Sequence, residues 1–358
     1  MTNETWTDER IAEVVESIVG DFEYAGGVTE LPGGLLNRVW RVEGRERSVV
    51  AKHAPPYVAS RPEVPLDPVR VEFEARALEL FEPDRPLRGL LSDEVRPPAA
   101  LGLSTDHSML AMEDLGDAPD LTRVAAEAAD EGGTSPGAAG ERLGWFAAGL
   151  HALSSDDDEI RGAFQNEPVR ETRRELQYEP IADRLDEAGY DDAVELGSRA
   201  VALADRIDRE GRCLIMGDLW PRSVLVVAGG LRLIDWEFAD WGWPAQDVGH
   251  LAAHAWMQAH RASNPADERA WREFGRWFVG TYRDRMLEHE WGLIGEPFER
   301  HVGIHVGAEI LARTIGAFRA DYVYAGLEQG DAALDEAVDR AVEALREPAR
   351  EMDRIARR

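Results

Sequence analysis

The first apolar pattern in the chain has a helical period. Ile11, Val14, Val15 and Ile18 recur at three- and four-residue steps, which predicts an amphipathic helix over 9–19. The period then shortens. Residues 28–31, 38–42 and 48–52 read as three strands, with Gly33-Gly34 and Gly44 as turn signals. Phe73, Ala77, Leu78 and Phe81 return to helical spacing over 71–81, and two more strands follow near 99–103 and 109–112. Together these elements predict a small β-rich lobe over residues 1–111. From Leu121 onward helical patterns dominate, at 139–153, 170–187, 191–209, 246–260, 267–289, 299–326 and 331–347. One β block interrupts them at 213–235, where CLIMGD, SVLVVA and LRLID are strands with a Gly229-Gly230 turn. The expected fold class is α+β: a small β-rich lobe, a connecting segment at 112–117 and a mostly helical second lobe over 118–358.

Composition narrows the functional classes. The 358 residues can bury a substantial core, and 44% hydrophobic with 30% charged residues describes a globular chain. No apolar run approaches the roughly 20 residues of a spanning helix, so no membrane partner is expected. MTNETWTDER shows neither a basic nor an apolar leader segment, and a cytoplasmic location is expected. Acidic residues outnumber basic ones 69 to 40, a net charge of −29, which argues against a nucleic-acid partner. The single cysteine, Cys213, leaves no intramolecular disulfide and reads as a buried structural thiol.

Arginine supplies every basic position but one. Lys52 is the only lysine, a pattern that fits adaptation to high salt or a codon bias towards arginine. If salt adaptation is the cause, the melting temperature should rise from dilute buffer to molar KCl as carboxylate repulsion is screened. A flat or falling curve would leave codon bias as the explanation. Under either cause, retention of one lysine points to a site that needs a compact point charge.

The residues around Lys52 suggest what that charge meets. LPGGLLNRVWRV (31–42) is a glycine turn between strands, where backbone N–H groups of Gly33 and Gly34 can approach phosphates, and SVVAK ends the next strand at Lys52. On the following helix Glu74 is the expected partner of the lysine, with Glu72 as the alternative. Downstream, IMGDLWPRSVLV delivers Asp218 into a loop between strands. Seventeen residues later LIDWEF carries Asp235 and Glu237 at spacing two. If that segment is extended, both carboxylates point the same way and suit a hard cation such as Mg²⁺. Asp218 can then orient and deprotonate a hydroxyl. There is no GxxxxGK[ST], and no GxGxxG between a strand and a helix, so a P-loop or dinucleotide fold is not supported.

These parts, in this order, resemble the protein-kinase-like fold, and the sequence looks like a member of the aminoglycoside phosphotransferase and choline kinase superfamily. Met216 stands where that superfamily has the histidine of its catalytic loop, and Ser223 where it has a metal-binding asparagine. GGLLNRVWRV, VVAKHAPPYV, AFQNEPVRETRRELQYEP and GDLWPRSVLV followed by IDWEFADWGWPAQDVGH resemble the 5-methylthioribose kinases, over about residues 30–330. The resemblance implies ATP as co-substrate bound between the lobes, with Mg²⁺ bridging its phosphates, and a small-molecule hydroxyl acceptor. It implies Asp218 as catalytic base, Asp235, Glu237 and Ser223 as metal ligands, and Lys52, Gly33, Gly34, Asn37 and Glu74 around the nucleotide. MEDL (112–115) resembles the segment between lobes, where Glu113 and Leu115 would offer backbone groups to adenine. Arg313 and Asp247 are the expected acceptor contacts, and a homodimer is compatible with the resemblance. Methylthioribose is the expected acceptor; a cationic amino-alcohol or aminoglycoside, a non-catalytic nucleotide-binding scaffold and an unrelated metal-dependent hydrolase are the alternatives.

Two further features read as packing. His250/His254 and His301/His305 are i, i+4 pairs without a visible third ligand, and Trp236, Trp241 and Trp243 read as core residues.

Overall fold

Thr7 accepts a hydrogen bond from the Arg10 N–H and so caps helix α1 (Asp8–Ile18), whose Ile11, Val14 and Val15 are buried. They pack on a five-stranded antiparallel sheet of order β1-β2-β3-β8-β7. Its strands are β1 (Tyr24–Glu30), β2 (Arg38–Gly44), β3 (Ser48–His53), β7 (Ala100–Ser104) and β8 (Met109–Glu113). Trp40, Val42, Val49, Ala51, Met109 and Ala111 cover the inner face. Two short strands, β4 (Tyr57–Val58) and β5 (Arg61–Pro65), form a hairpin, and α2 (Arg70–Glu79) follows them. The computed structural model describes residues 6–32, 34–123, 134–289, 291–320 and 322–357, so Gly33 lies outside the described residues.

The chain divides into two compact units. The first holds Met1–Leu91, Arg96–Ala118 and, returning from far downstream, Leu233–Ala239. The second holds Ser92–Val95, Pro119–Arg232 and Asp240–Arg358. The D-x-E segment at 235–237, assigned by sequence to the helical lobe, thus folds with the first unit.

The second unit is mostly helical: α3 (Pro136–Ser154), α4 (Asp158–Ala163), α5 (Glu167–Arg173), α6 (Ile181–Glu187), α7 (Ala193–Arg209), α8 (Pro244–His260), α9 (Pro265–Glu288), α10 (Glu296–Thr314), α11 (Ala332–Arg346) and α12 (Glu351–Arg357). Short strands are inserted: β9 (Cys213–Ile215) pairs with β12 (Asp240–Gly242), and β10 (Val224–Val227) and β11 (Gly230–Leu233) form a sheet with β6 (Val95–Arg96). Two helical expectations are corrected. The helix expected at 170–187 breaks at Pro180, which has no N–H to continue it, after a π turn at Arg174–Tyr178. The helix expected at 299–326 stops at Thr314, where the chain turns back and the Phe318 N–H donates to Ala312 O at 2.9 Å. Cys213 is free and buried, and Trp236, Trp241 and Trp243 are core residues, as expected. No helix among the described residues is long and apolar enough to cross a membrane.

Candidate active site

In the first unit the alternation of β3 sets the site. Val49 and Ala51 point into the α1 face, so Lys52 emerges on the opposite face. There its Nζ lies 2.8 Å from Glu74 Oε2, 2.7 Å from Asp235 Oδ1 and 3.4 Å from Glu237 Oε1. Of the two glutamates weighed on α2, Glu74 faces the lysine, whereas Glu72 pairs with Arg76. Burial alone would favour neutral Lys52, but Asp235, Glu237 and Glu74 outweigh it and hold the ammonium well above its ordinary range. The same burial pushes the Glu74 carboxyl up to about 7 against the pull of Lys52.

The two downstream carboxylates are not on an extended segment. Asp235 takes a left-handed conformation (φ 64°, ψ 56°), and Trp236–Phe238 form a 3-10 turn. Aspartate is among the few residues that tolerate that geometry. The turn separates the roles of the pair. The Asp235 side chain is 40% exposed and Glu237 only 4%. Asn37 Nδ2 donates to Glu237 Oε1 at 2.7 Å, and Arg70 Nε lies 3.0 Å from Oε2. Arg70 also donates to the carbonyls of Leu36, Pro55 and Asp67, tying the glycine turn to the start of α2. Asn37 therefore clamps the turn onto Glu237 with its side chain. Gly34 is required beside it, since a Cβ there would sit 2.5 Å from the Asn37 carbonyl oxygen. The expected hinge residue Glu113 ends β8; its N–H donates to Ala99 O at 2.9 Å and its carboxylate holds Arg96 in two hydrogen bonds. An adenine contact through the Glu113 N–H would have to displace that bond.

In the second unit β9 delivers the loop 216–223. Gly217 has φ 82°, a conformation that favours glycine, and turns the chain so that Asp218 follows. Asp247, on the first turn of α8, accepts the N–H groups of Met216 (2.8 Å) and Gly217 (2.9 Å) and contacts His151 Nε2 at 3.2 Å. It is fully buried, so the carboxylate expected to touch an acceptor is instead the anchor of the loop. Ser223, expected on a metal, is buried too. Its hydroxyl lies 3.0 Å from Asp218 O and 2.9 Å from Trp220 O, and it accepts from the Trp220 N–H, closing the loop on itself. Arg173 donates to the Gly217 carbonyl from α5. Asp247→Ala would orphan two buried N–H groups, so it should cost about 2–4 kcal/mol of stability. It should also lower kcat more than it raises KM; unchanged melting and kinetics would remove the anchor role.

The Asp218 carboxylate is 23% exposed and has His250 Nε2 at 3.3 Å. Burial acts to raise its pKa, but the His250 hydrogen bond and the charges of His250, Arg313 and Arg173 prevail and hold it below the ordinary aspartate range. An ionised carboxylate at neutral pH is what a proton acceptor needs. Arg313 stacks on Trp220, Phe318 and Tyr322, with its Nε 2.7 Å from Glu309 Oε1.

The structure supplies the third group that the His250/His254 pair lacked in sequence: Glu309, on α10, lies within reach of both rings. Its carboxylate already accepts from Arg313 Nε and from Gln177 Nε2 at 2.8 Å, and those donors oppose a divalent cation there. The cluster instead stands behind Asp218, with His250 between the two carboxylates. Sequence reasoning missed Glu309 and Arg70, on helices without a chemical motif, and did not single out Arg173 within the 163–180 stretch.

Residues 27–289 match the model of the phosphotransferase enzyme family. Two 4-hydroxytryptamine kinases are similar. That of Psilocybe cyanescens is 26% identical over 65% of this chain and 68% of its own, and that of Psilocybe cubensis 24% over 64% and 68%. A methylthioribose kinase of Geobacillus thermodenitrificans is 26% identical over 85% of this chain and 82% of its own. Among solved structures, a choline/ethanolamine kinase family protein from Mesorhizobium loti superposes with a TM-score of 0.51 at 15% identity, covering 98% of this chain and 99% of that one. A spectinomycin phosphotransferase does so with a TM-score of 0.52 at 13% identity, covering 96% and 99%. The fold is thus the protein-kinase-like one, with a β-sheet N-terminal region and a helical C-terminal region. With its family model spanning most of the sequence, the chain belongs to the phosphotransferase enzyme family, as an ATP-dependent kinase that acts on a small-molecule hydroxyl.

Proposed function

We propose that the acceptor is a neutral or anionic sugar-like alcohol of the 5-methylthioribose class, phosphorylated from Mg-ATP. The observation that carries this reading is the charge around Asp218. Arg173 and Arg313 both act on its carboxylate, and Arg222 lies over the Trp220 and Tyr322 rings. A cationic amino-alcohol or aminoglycoside entering beside these guanidiniums would meet like charge. A hydroxyl-rich neutral or anionic molecule would not.

In this reading Asp218 accepts the proton of the acceptor hydroxyl, Asp247 and His250 hold the loop and the carboxylate in place, and Lys52 grips the nucleotide phosphates while Glu74 fixes its head group. Asp235 is the carboxylate whose exposure fits a magnesium ion. That ion typically takes one or two carboxylates together with phosphate oxygens and water, and it would neutralise charge on the phosphates. Glu237, committed to Asn37 and Arg70, serves the turn and Lys52.

A second reading has one observation behind it. Trp220, two residues beyond Asp218, lies within 5.3–5.8 Å of the His254 and Tyr322 rings, an aromatic wall that suits a hydroxyindole such as 4-hydroxytryptamine. Its ammonium would still face the arginines. A coupled assay comparing methylthioribose, ribose, 4-hydroxytryptamine, choline and an aminoglycoside decides between them. Methylthioribose should give the highest kcat/KM; if an amine does and methylthioribose gives none, the acceptor assignment is wrong although the kinase stands.

A further inference from the structure

The chain concentrates cationic side chains at one place unrelated to the residues assigned above. Within the second unit, α7, α10, the end of α11 and the 3-10 turn Pro348–Arg350 line an open cleft of about 610 Å³, a size typical of small-molecule sites. Arg199, Arg206, Arg300, Arg346, Arg350 and His301 line it, and Glu347 is its one carboxylate residue. In a protein of net charge −29 such a lining is not what random placement of charges would give.

Arg199 donates to the carbonyls of Leu345 and Arg346 and Arg206 stacks on Trp243, but the ionic partners of the lining guanidiniums lie open to water. Their partners Glu195, Glu210, Asp192 and Glu347 are 30–65% exposed, and among the described residues Arg300 has only Glu296 at 3.6 Å, itself 79% exposed. Ion pairs of that kind are worth little, so an anion can compete for the arginines. His301 is 6% exposed, and its Nδ1 finds no hydrogen-bond partner among the described residues. Burial, then the charges of Arg206 and Arg300, lower its pKa to about 4, so the ring is neutral and the potential around it positive. Leu203 and Ile304 supply an apolar floor beneath the arginines.

We propose that this cleft is a binding site for a small amphipathic anion, a compound with a phosphate group on an apolar body, separate from the nucleotide and acceptor sites. The arginines take the phosphate, the His301 imidazole offers Nδ1, and the apolar body rests on Leu203 and Ile304.

The test is calorimetric titration of the full chain with phenyl phosphate and with inorganic phosphate, in the wild type and in the Arg300→Gln/Arg350→Gln double variant. Neither arginine has been assigned to the phosphotransfer machinery, so kinase activity of the variant should remain and certify its fold. Phenyl phosphate should bind saturably, about tenfold tighter than phosphate. The double substitution should weaken it at least tenfold. No saturable binding of phenyl phosphate, or equal binding in the double variant, would overturn the site. Equal affinity for phosphate and phenyl phosphate would overturn the amphipathic ligand.

Discussion

Asp218→Asn should lower kcat by at least about a hundredfold, the scale of losing a general base, while nucleotide affinity stays within a few-fold of the wild type. The reasoning starts from charge. His250, Arg313 and Arg173 keep the carboxylate ionised in a partly closed setting, where burial alone would favour the acid form. Asparagine preserves the volume and can still contact His250 Nε2, and the loop itself hangs on Asp247 through the N–H groups of Met216 and Gly217. The substitution therefore removes the proposed proton acceptor and leaves the scaffold. In the proposed reading nucleotide binding depends on Lys52 and its partners in the first unit, so a fluorescent ATP analogue should bind the variant normally. Single-turnover phosphorylation at the wild-type rate would take Asp218 out of the chemistry.

How much of this was legible in the sequence differs between the two clusters. Strand periodicity placed Lys52 at the end of β3, and helical spacing put Glu74 on the next helix, because both signals are local. The partners of Glu237 were not legible. Asn37 and Arg70 lie 200 and 167 residues away from it in the chain, and only the return of 233–239 to the first unit brings them together. The extended reading of LIDWEF failed for a local reason. Asp235 adopts a left-handed conformation that a preceding apolar strand does not announce. Asp247 illustrates a different limit. The family resemblance offers it as an acceptor contact, whereas in the structure it is buried, and that burial follows from how α8 packs against β9.

Lys52→Met should abolish turnover and also destabilise the fold, by an amount that depends on pH. The ammonium is buried among three carboxylates, and removing one partner of a buried ionic cluster costs on the order of 3–5 kcal/mol. The sign of the pH effect follows from Glu74. Its folded pKa, about 7, exceeds the ordinary value of 4.5, because burial and the neighbouring Glu237 and Asp235 prevail over Lys52. A carboxyl raised in the native state binds protons that the unfolded chain has released, so its stabilising contribution is present below about 4.5 and is lost as pH rises through about 7. Without Lys52 the opposing pull disappears and the folded pKa moves higher still. Each further unit adds about 1.4 kcal/mol to the loss once both states are ionised. The stability difference between wild type and Lys52→Met, read from urea melts, should therefore be small near pH 5 and grow towards pH 8. A difference that is constant across that range would mean that Glu74 does not depend on the lysine for its charge. The single lysine would then be a phosphate ligand without a structural role.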